Sequence, residues 1–147
     1  MNGSKEVILC VDDDPEIVSA LRDLLEVHGY EVLAACDGSE AFKAFDNAVD
    51  AVILDYQMPG EDGMALAARM KESKPHVPIL MFSGYDNLSS WELTSVDQFV
   101  SKSGPPSQLL AALEHLLAVR YPPFQRWFGD WKNRIHKTGL NGWGTRS

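Results

Sequence analysis

Short apolar runs separated by stretches of helical period divide the first 120 residues into a regular alternation. The runs at 7–11, 31–35, 51–54, 79–82 and 98–100 are too short for helices, and they predict five strands. Helices are expected between them, and the first is the best defined. Ile17, Leu21, Leu24, Leu25 and His28 recur on one helical face, Asp14 stands where an N-cap belongs, Pro15 suits the first turn, and Gly29 stops the helix. Residues 39–47, 62–73 and 106–120 predict three more helices. The stretch 87–94, with Ser89, Ser90, Trp91 and Thr94, keeps little periodicity and predicts a short or irregular one. Strands this apolar suit burial on both faces, and strand–helix alternation implies a parallel sheet with right-handed crossovers. The expected fold is therefore α/β: a doubly wound, five-stranded parallel sheet of (βα)5 type with a C-terminal helical extension.

Composition narrows this picture. A chain of 147 residues, 45% hydrophobic and 23% charged, is an ordinary globular domain in size and make-up. No apolar stretch approaches the roughly 18 residues that cross a bilayer, and the polar opening Met1-Asn2-Gly3-Ser4-Lys5-Glu6 is unlike a secretory signal. The expectation is a cytoplasmic protein without a membrane span. Cys10 and Cys36 lie in apolar stretches without Cys or His at metal-ligand spacing, which predicts buried free thiols rather than a zinc site. Charge is uneven: residues 1–117 hold 7 Lys+Arg against 20 Asp+Glu, and residues 118–147 hold 6 against 1. An acidic body of this kind repels nucleic acid. The change in charge, the Pro122-Pro123 pair and the cluster Trp127, Trp131 and Trp143 draw a boundary near Tyr121, giving a domain at 1–120 and a tail at 121–147. In the tail, Phe124, Trp127, Phe128, Trp131 and Ile135 recur at helical spacing among Arg126, Lys132, Arg134 and Lys137, which reads as a basic amphipathic helix. Such a stripe suits the same domain or a second copy of the chain first, a partner protein second, and an anionic membrane surface or nucleic acid last, since so aromatic a face fits an interface better than a phosphate groove. The tail is too short for a winged helix or helix-turn-helix unit, so no DNA-binding domain is expected.

Candidate chemistry follows from the sheet. In open parallel sheets, ligands bind beyond the carboxyl ends of the strands, where the winding reverses. Asp12 and Asp13 follow the first predicted strand, Asp55 the third, Ser83 the fourth, and Lys102 the fifth. Three converging carboxylates call for a cation, and hard oxygen ligands favour magnesium. With a lysine and a hydroxyl beside them, they are equipped to stabilise a transferring phosphoryl group, with Asp55 as nucleophile. Taken singly, each residue has a plainer reading: Asp12 to Asp14 as acids at a helix N-terminus, Ser83 as a turn serine, Lys102 as a solvated lysine. The joint placement carries the weight.

The segments Val-Ile-Leu-Cys-Val-Asp-Asp-Asp-Pro at 7–15 and Ala-Val-Ile-Leu-Asp-Tyr-Gln-Met-Pro-Gly-Glu-Asp-Gly at 51–63 resemble the receiver domain of bacterial response regulators, and the resemblance extends over about residues 5–120. It implies a flavodoxin-like fold and a single-domain phosphoacceptor of two-component signalling. Asp55 would take a phosphoryl group from a sensor histidine kinase or a histidine phosphotransfer protein. Asp12, Asp13, Asp55 and the backbone carbonyl of Gln57 would hold Mg2+, Ser83 and Lys102 would bind the phosphoryl oxygens, and Phe99 would be the aromatic switch residue. Gln57 and Tyr85 stand where the family tunes access of the hydrolytic water. The resemblance also implies that the switch remodels the surface of the fourth helix, fifth strand and fifth helix, to be read by a downstream protein.

Two departures bear on that switch. The family usually has proline after the lysine, often in a cis bond, whereas Ser103 follows Lys102 here. A cis bond to a non-proline residue costs roughly 2.5–4 kcal/mol, so a trans bond is expected, or a strained cis bond kept for function. The separation of 19 residues between Ser83 and Lys102 is also shorter than the family's usual spacing. The alternative is therefore a receiver-like scaffold that binds partners without switching. An enzyme reading is weaker. A phosphatase of the haloacid dehalogenase type wants a second aspartate where Gln57 stands, and a dinucleotide-binding protein wants a phosphate-cradling loop where Asp12-Asp13-Asp14-Pro15 offers repulsion. Catalysis is thus expected only of the protein's own aspartyl phosphorylation and dephosphorylation.

Overall fold

The computed structural model describes residues 5–46, 48–84 and 95–119. Within them the chain runs β1 (Val7–Val11), α1 (Pro15–Val27), β2 (Glu31–Ala35), α2 (Gly38–Ala44), β3 (Ala51–Leu54), β4 (Gln57–Met58), β5 (Glu61–Asp62), α3 (Gly63–Ser73), β6 (Ile79–Ser83), β7 (Gln98–Ser101) and α4 (Pro106–Val119). The helix expected at 87–94, Tyr85, the domain boundary at Tyr121 and the whole basic tail lie outside the described residues. No helix among the described residues is long and apolar enough to cross a membrane.

The five expected strands form one sheet in the order β2-β1-β3-β6-β7, and all four pairings are parallel. The winding reverses at β1, because β2 lies on one side of it and β3 on the other. Side chains alternate between the two faces of a strand. Ile8, Cys10, Ala51, Ile53, Leu80 and Val100 accordingly pack with Leu21 and Leu25 of α1 and Leu109, Leu113, Leu116 and Leu117 of α4. Leu9, Val11, Val52, Leu54, Ile79 and Met81 pack on the other face with Ala41 of α2 and Leu66, Ala67 and Met70 of α3. The core thus lies in two layers, one on each side of the sheet.

Helix starts follow local chemistry. Pro15 opens α1, and the Asp14 carboxylate accepts from the Glu16 N–H at 2.9 Å. Asp37 accepts from the Glu40 N–H at 2.8 Å before α2, and Asp62 from the Met64 N–H at 2.9 Å before α3. Each aspartate satisfies a donor that the first turn leaves unpaired. Gly29, at φ +92°, ends the first helical segment as expected.

Several expectations are corrected. His28 does not share the buried face of α1; it is exposed at the C-cap, where its Nδ1 lies 2.9 Å from the Leu24 carbonyl. The second helix ends at Ala44 rather than 47, because the chain tightens into Phe45 N–H to Phe42 carbonyl and Asp46 N–H to Ala44 carbonyl bonds, and the Asp46 side chain accepts from Ala48 N–H. Cys10 is a buried thiol, its pKa pushed up to about 12 chiefly by burial, but Cys36 is exposed just beyond the edge strand β2. The β4–β5 ladder pairs Gln57 with Asp62 and Met58 with Glu61 around Gly60, which takes φ +71°. Local pattern offers no sign of so short a ladder. The Lys102–Ser103 bond is trans, since no cis peptide occurs among the described residues.

Candidate functional site

Four of the five strands, β1, β3, β6 and β7, carry their candidate groups to the same end of the sheet: Asp12 and Asp13 follow β1, Asp55 follows β3, Ser83 ends β6 and Lys102 follows β7. The Asp55 N–H bonds the Val11 carbonyl at 3.0 Å, tying the end of β3 to that of β1, and the Lys102 N–H bonds the Ser83 carbonyl at 2.8 Å, tying the residue after β7 to the end of β6. Asp12 is held through both ends of its own residue. Its N–H donates to the Ala35 carbonyl at 3.1 Å, and its Oδ1 accepts from the Asp14 N–H at 3.0 Å. That leaves Oδ2 directed to Lys102.

The Lys102 ammonium donates to Asp12 Oδ2 at 2.9 Å and to Asp55 Oδ1 at 3.3 Å. Asp12 is 3% exposed and Asp55 7%, so this cation stands between two carboxylates largely withdrawn from water. One carboxylate oxygen from each of Asp12, Asp13 and Asp55 lies within 4.8 Å of the others. Asp13 is exposed, opening the cluster to solvent. Ser83 is buried at 1% exposure at the end of β6. Gln57 is exposed and begins the short ladder that follows Asp55. Phe99 stands apart: it is half-buried and packs in the α2–α3 layer, on the opposite face of the sheet from Val100, which packs in the α1–α4 layer. The structure therefore brings Asp12, Asp13, Asp55 and Lys102 together, sets Ser83 and Gln57 at the same sheet end, and leaves Phe99 outside the cluster.

The electrostatics follow from this crowding. Burial pushes the Asp55 carboxyl above its ordinary range and the Asp12 charge adds to the effect, while Lys102 and a backbone bond from Gln57 pull it back without cancelling it. Burial alone would lower the Lys102 pKa, but its bonds to Asp12 and Asp55 outweigh burial and raise it. The ammonium stays charged. A cluster in which Asp55 still resists ionisation beside one lysine has room for more positive charge, and its donors are all hard oxygens, so it fits a magnesium ion. Asp13→Ala is expected to leave the fold intact, because the side chain is exposed, and to weaken magnesium binding by about tenfold or more. Calorimetric titration with magnesium checks this.

Two neighbours escaped the sequence reading. Phe82, read only as an apolar strand residue, lies with its ring centroid 6.0 Å from the Lys102 ammonium. Gly63 opens α3, and its N–H bonds the Tyr56 carbonyl at 3.0 Å, bringing the helix start against the segment that carries Asp55. Period-two alternation places Phe82 on the α1–α4 face, but nothing local announces the Gly63 contact.

Comparison with known proteins agrees with this geometry. Residues 8–114 match the response regulator receiver domain family. The transcriptional regulatory protein CpxR of Escherichia coli (strain K12) is 32% identical over 114 residues, covering 75% of this chain and 48% of its own length. The chain thus spans about half the length of the curated relatives it matches. The response regulator TrrA of Thermotoga maritima, solved in complex with Mg(2+)-BeF, has a TM-score of 0.71 and 34% identity, covering 76% of this chain and 98% of that one. TrrA has also been solved in complex with the histidine kinase ThkA. A CheY-like receiver domain protein from Methanospirillum hungatei JF-1 gives a TM-score of 0.74 at 28% identity, covering 80% of this chain and 97% of that one.

Proposed function

The chain belongs to the response regulator receiver family, and on that premise we propose that it accepts a phosphoryl group on Asp55 from a phosphohistidine and signals through protein–protein contact. One observation carries the reading: a single ammonium, Lys102, is bonded to both Asp12 and Asp55, and a carboxylate oxygen of Asp13 lies within 4.8 Å of one from each of those two acids. In the reaction, a carboxylate oxygen of Asp55 attacks phosphorus and the P–N bond to the donor imidazole breaks, its electron pair leaving with the ring. Asp12, Asp13, Asp55 and the Gln57 carbonyl are the residues that would hold Mg2+, which when bound supplies charge neutralisation for the phosphoryl oxygens. Lys102 pairs with a phosphoryl oxygen, and the Ser83 hydroxyl donates to another. Phe99 acts as the aromatic reporter of the switched state. The protein turns over only its own aspartyl phosphate.

The donor in this reading is a sensor histidine kinase or a histidine phosphotransfer protein in the cytoplasm, in keeping with the solved complex of TrrA with ThkA. Residues 1–120 are the receiver unit, and 121–147 are an appended basic, aromatic segment suited to a downstream protein or a second copy of the chain. The alternative, a scaffold that binds without switching, is favoured by Ser103 in the place of the usual proline.

Titration with magnesium and then beryllofluoride or acetyl phosphate, followed by tryptophan fluorescence and mass spectrometry, separates the two. A saturable response with a phosphoryl adduct on Asp55 supports the switch, and absence of both supports the scaffold. Lys102→Ala is expected to fold, to keep magnesium binding and to lose roughly ten- to hundredfold in beryllofluoride affinity, the range of one or two hydrogen bonds to a charged group. Unaltered affinity in that variant would remove Lys102 from the site.

A further inference from the structure

The lysine of the site is followed by Ser103 rather than by an imino acid that would stiffen the turn, so something else must set the direction of its backbone. The turn after β7 is closed by hydrogen bonds centred on Ser101. Its Oγ accepts from the Ser103 N–H at 3.2 Å and lies 2.7 Å from Ser103 Oγ, and its carbonyl accepts from the Gly104 N–H at 3.2 Å. Lys102 is therefore held on both sides, by its own N–H on the Ser83 carbonyl and by the peptide that follows it on Ser101 Oγ. A proline at 103 would have no N–H to give, so this bond exists only because the residue is not proline.

Resting on the phosphoacceptor reading, we propose that Ser101 is a positioning residue for Lys102, its hydroxyl closing the turn that aims the ammonium between Asp12 and Asp55. Lysine has a long side chain with several rotatable bonds, and a swing of its Cα is passed directly to the ammonium. Fixing the peptide planes before and after Lys102 removes the largest part of that swing. Small misplacements of a group that must meet a developing charge are costly, which is why a hydroxyl that touches neither metal nor phosphoryl group matters here. Serine rather than alanine at 101 is thus part of the site's construction.

The test compares wild type, Ser101→Ala and Ser101→Thr as full chains, measuring magnesium affinity and then beryllofluoride affinity in saturating magnesium. Ser101→Ala is expected to bind beryllofluoride roughly two- to tenfold more weakly, the span of one neutral hydrogen bond, with magnesium affinity not reduced. Ser101→Thr keeps the hydroxyl and is expected to recover most of the loss. In a Lys102→Ala background, Ser101→Ala is expected to add nothing, since residues acting through one another are not additive. Wild-type beryllofluoride affinity in Ser101→Ala overturns the proposal. So does a parallel loss of magnesium and beryllofluoride binding that threonine fails to restore, or a further loss in the Lys102→Ala background. A wild-type protein that binds magnesium but never beryllofluoride sinks the phosphoacceptor reading itself and this inference with it, whereas wild-type binding with an indifferent Ser101 sinks the inference alone.

Discussion

Asp55→Asn is expected to abolish phosphoryl acceptance completely: acetyl phosphate with magnesium labels the wild type and leaves no adduct on the variant. The loss is total because an amide has no anionic oxygen to attack phosphorus, and Asp55 is the acidic residue that emerges from the buried centre of the sheet beside Lys102. Equal labelling of variant and wild type, read by intact-mass spectrometry, would refute the assignment. The same substitution carries a stability effect of opposite sense. The Asp55 carboxyl holds its proton more tightly in the fold than in the unfolded chain, because burial and the Asp12 charge disfavour its ionised form. Stability from this group is thus present below the ordinary carboxylate range and lost as pH rises through the raised value. At neutral pH without divalent cations the ionised Asp55 destabilises the protein, and asparagine removes that penalty. The variant is expected to melt above wild type at neutral pH and to lose the advantage in acid, which thermal melts in chelator at the two pH values would show.

Gly63→Ala is expected to be the most damaging small substitution near the site. A Cβ there falls well inside contact distance of the Asp55 carbonyl oxygen and 2.7 Å from the Tyr56 carbonyl oxygen. Both are backbone atoms, so no side chain can swing aside, and α3 must back away from the segment that carries Asp55. Overpacking of this kind costs about 1–3 kcal/mol, and more where nothing yields. Because the clash bears on the carbonyl of Asp55 itself, phosphorylation should slow along with the fall in melting temperature. A variant that melts and labels like wild type would show that the helix start adapts freely. Ordinary φ at Gly63 makes this a question of space alone, in contrast to Gly29 and Gly60, whose positive φ is the constraint.

The strands at 7–11, 31–35 and 51–54 were legible to the residue, and 79–82 and 98–100 to within one, because a buried parallel strand needs little besides an unbroken apolar run between turns. Asp14 with Pro15 and the glycine at 29 marked the ends of α1 for the same reason, since caps are satisfied within a few residues of chain. The chemistry around Asp12, Asp13 and Asp55 was legible from joint placement: each acid alone could serve a helix start or a turn, but three acids, a hydroxyl and a lysine at the carboxyl ends of successive strands could not be explained that way together. What failed was decided by neighbours distant in sequence or by one-residue geometry: the exposure of Cys36 beside an edge strand, the early end of α2 at Ala44, the capping position of His28.

The order of acids, hydroxyl and lysine along the chain, and the faces their strands present, were determined by the sequence itself through local propensity and period-two alternation. Only the tertiary structure decided how far each strand runs past its neighbour. The register places Val11 beside Leu54, Leu54 beside Met81, and Ser83 beside Ser101, and from it follow Lys102 reaching Asp12 and Asp55, Phe82 beside the ammonium, and Phe99 on the far side of the sheet. Register is set by the packing of both helical layers at once, which no segment of the chain encodes alone.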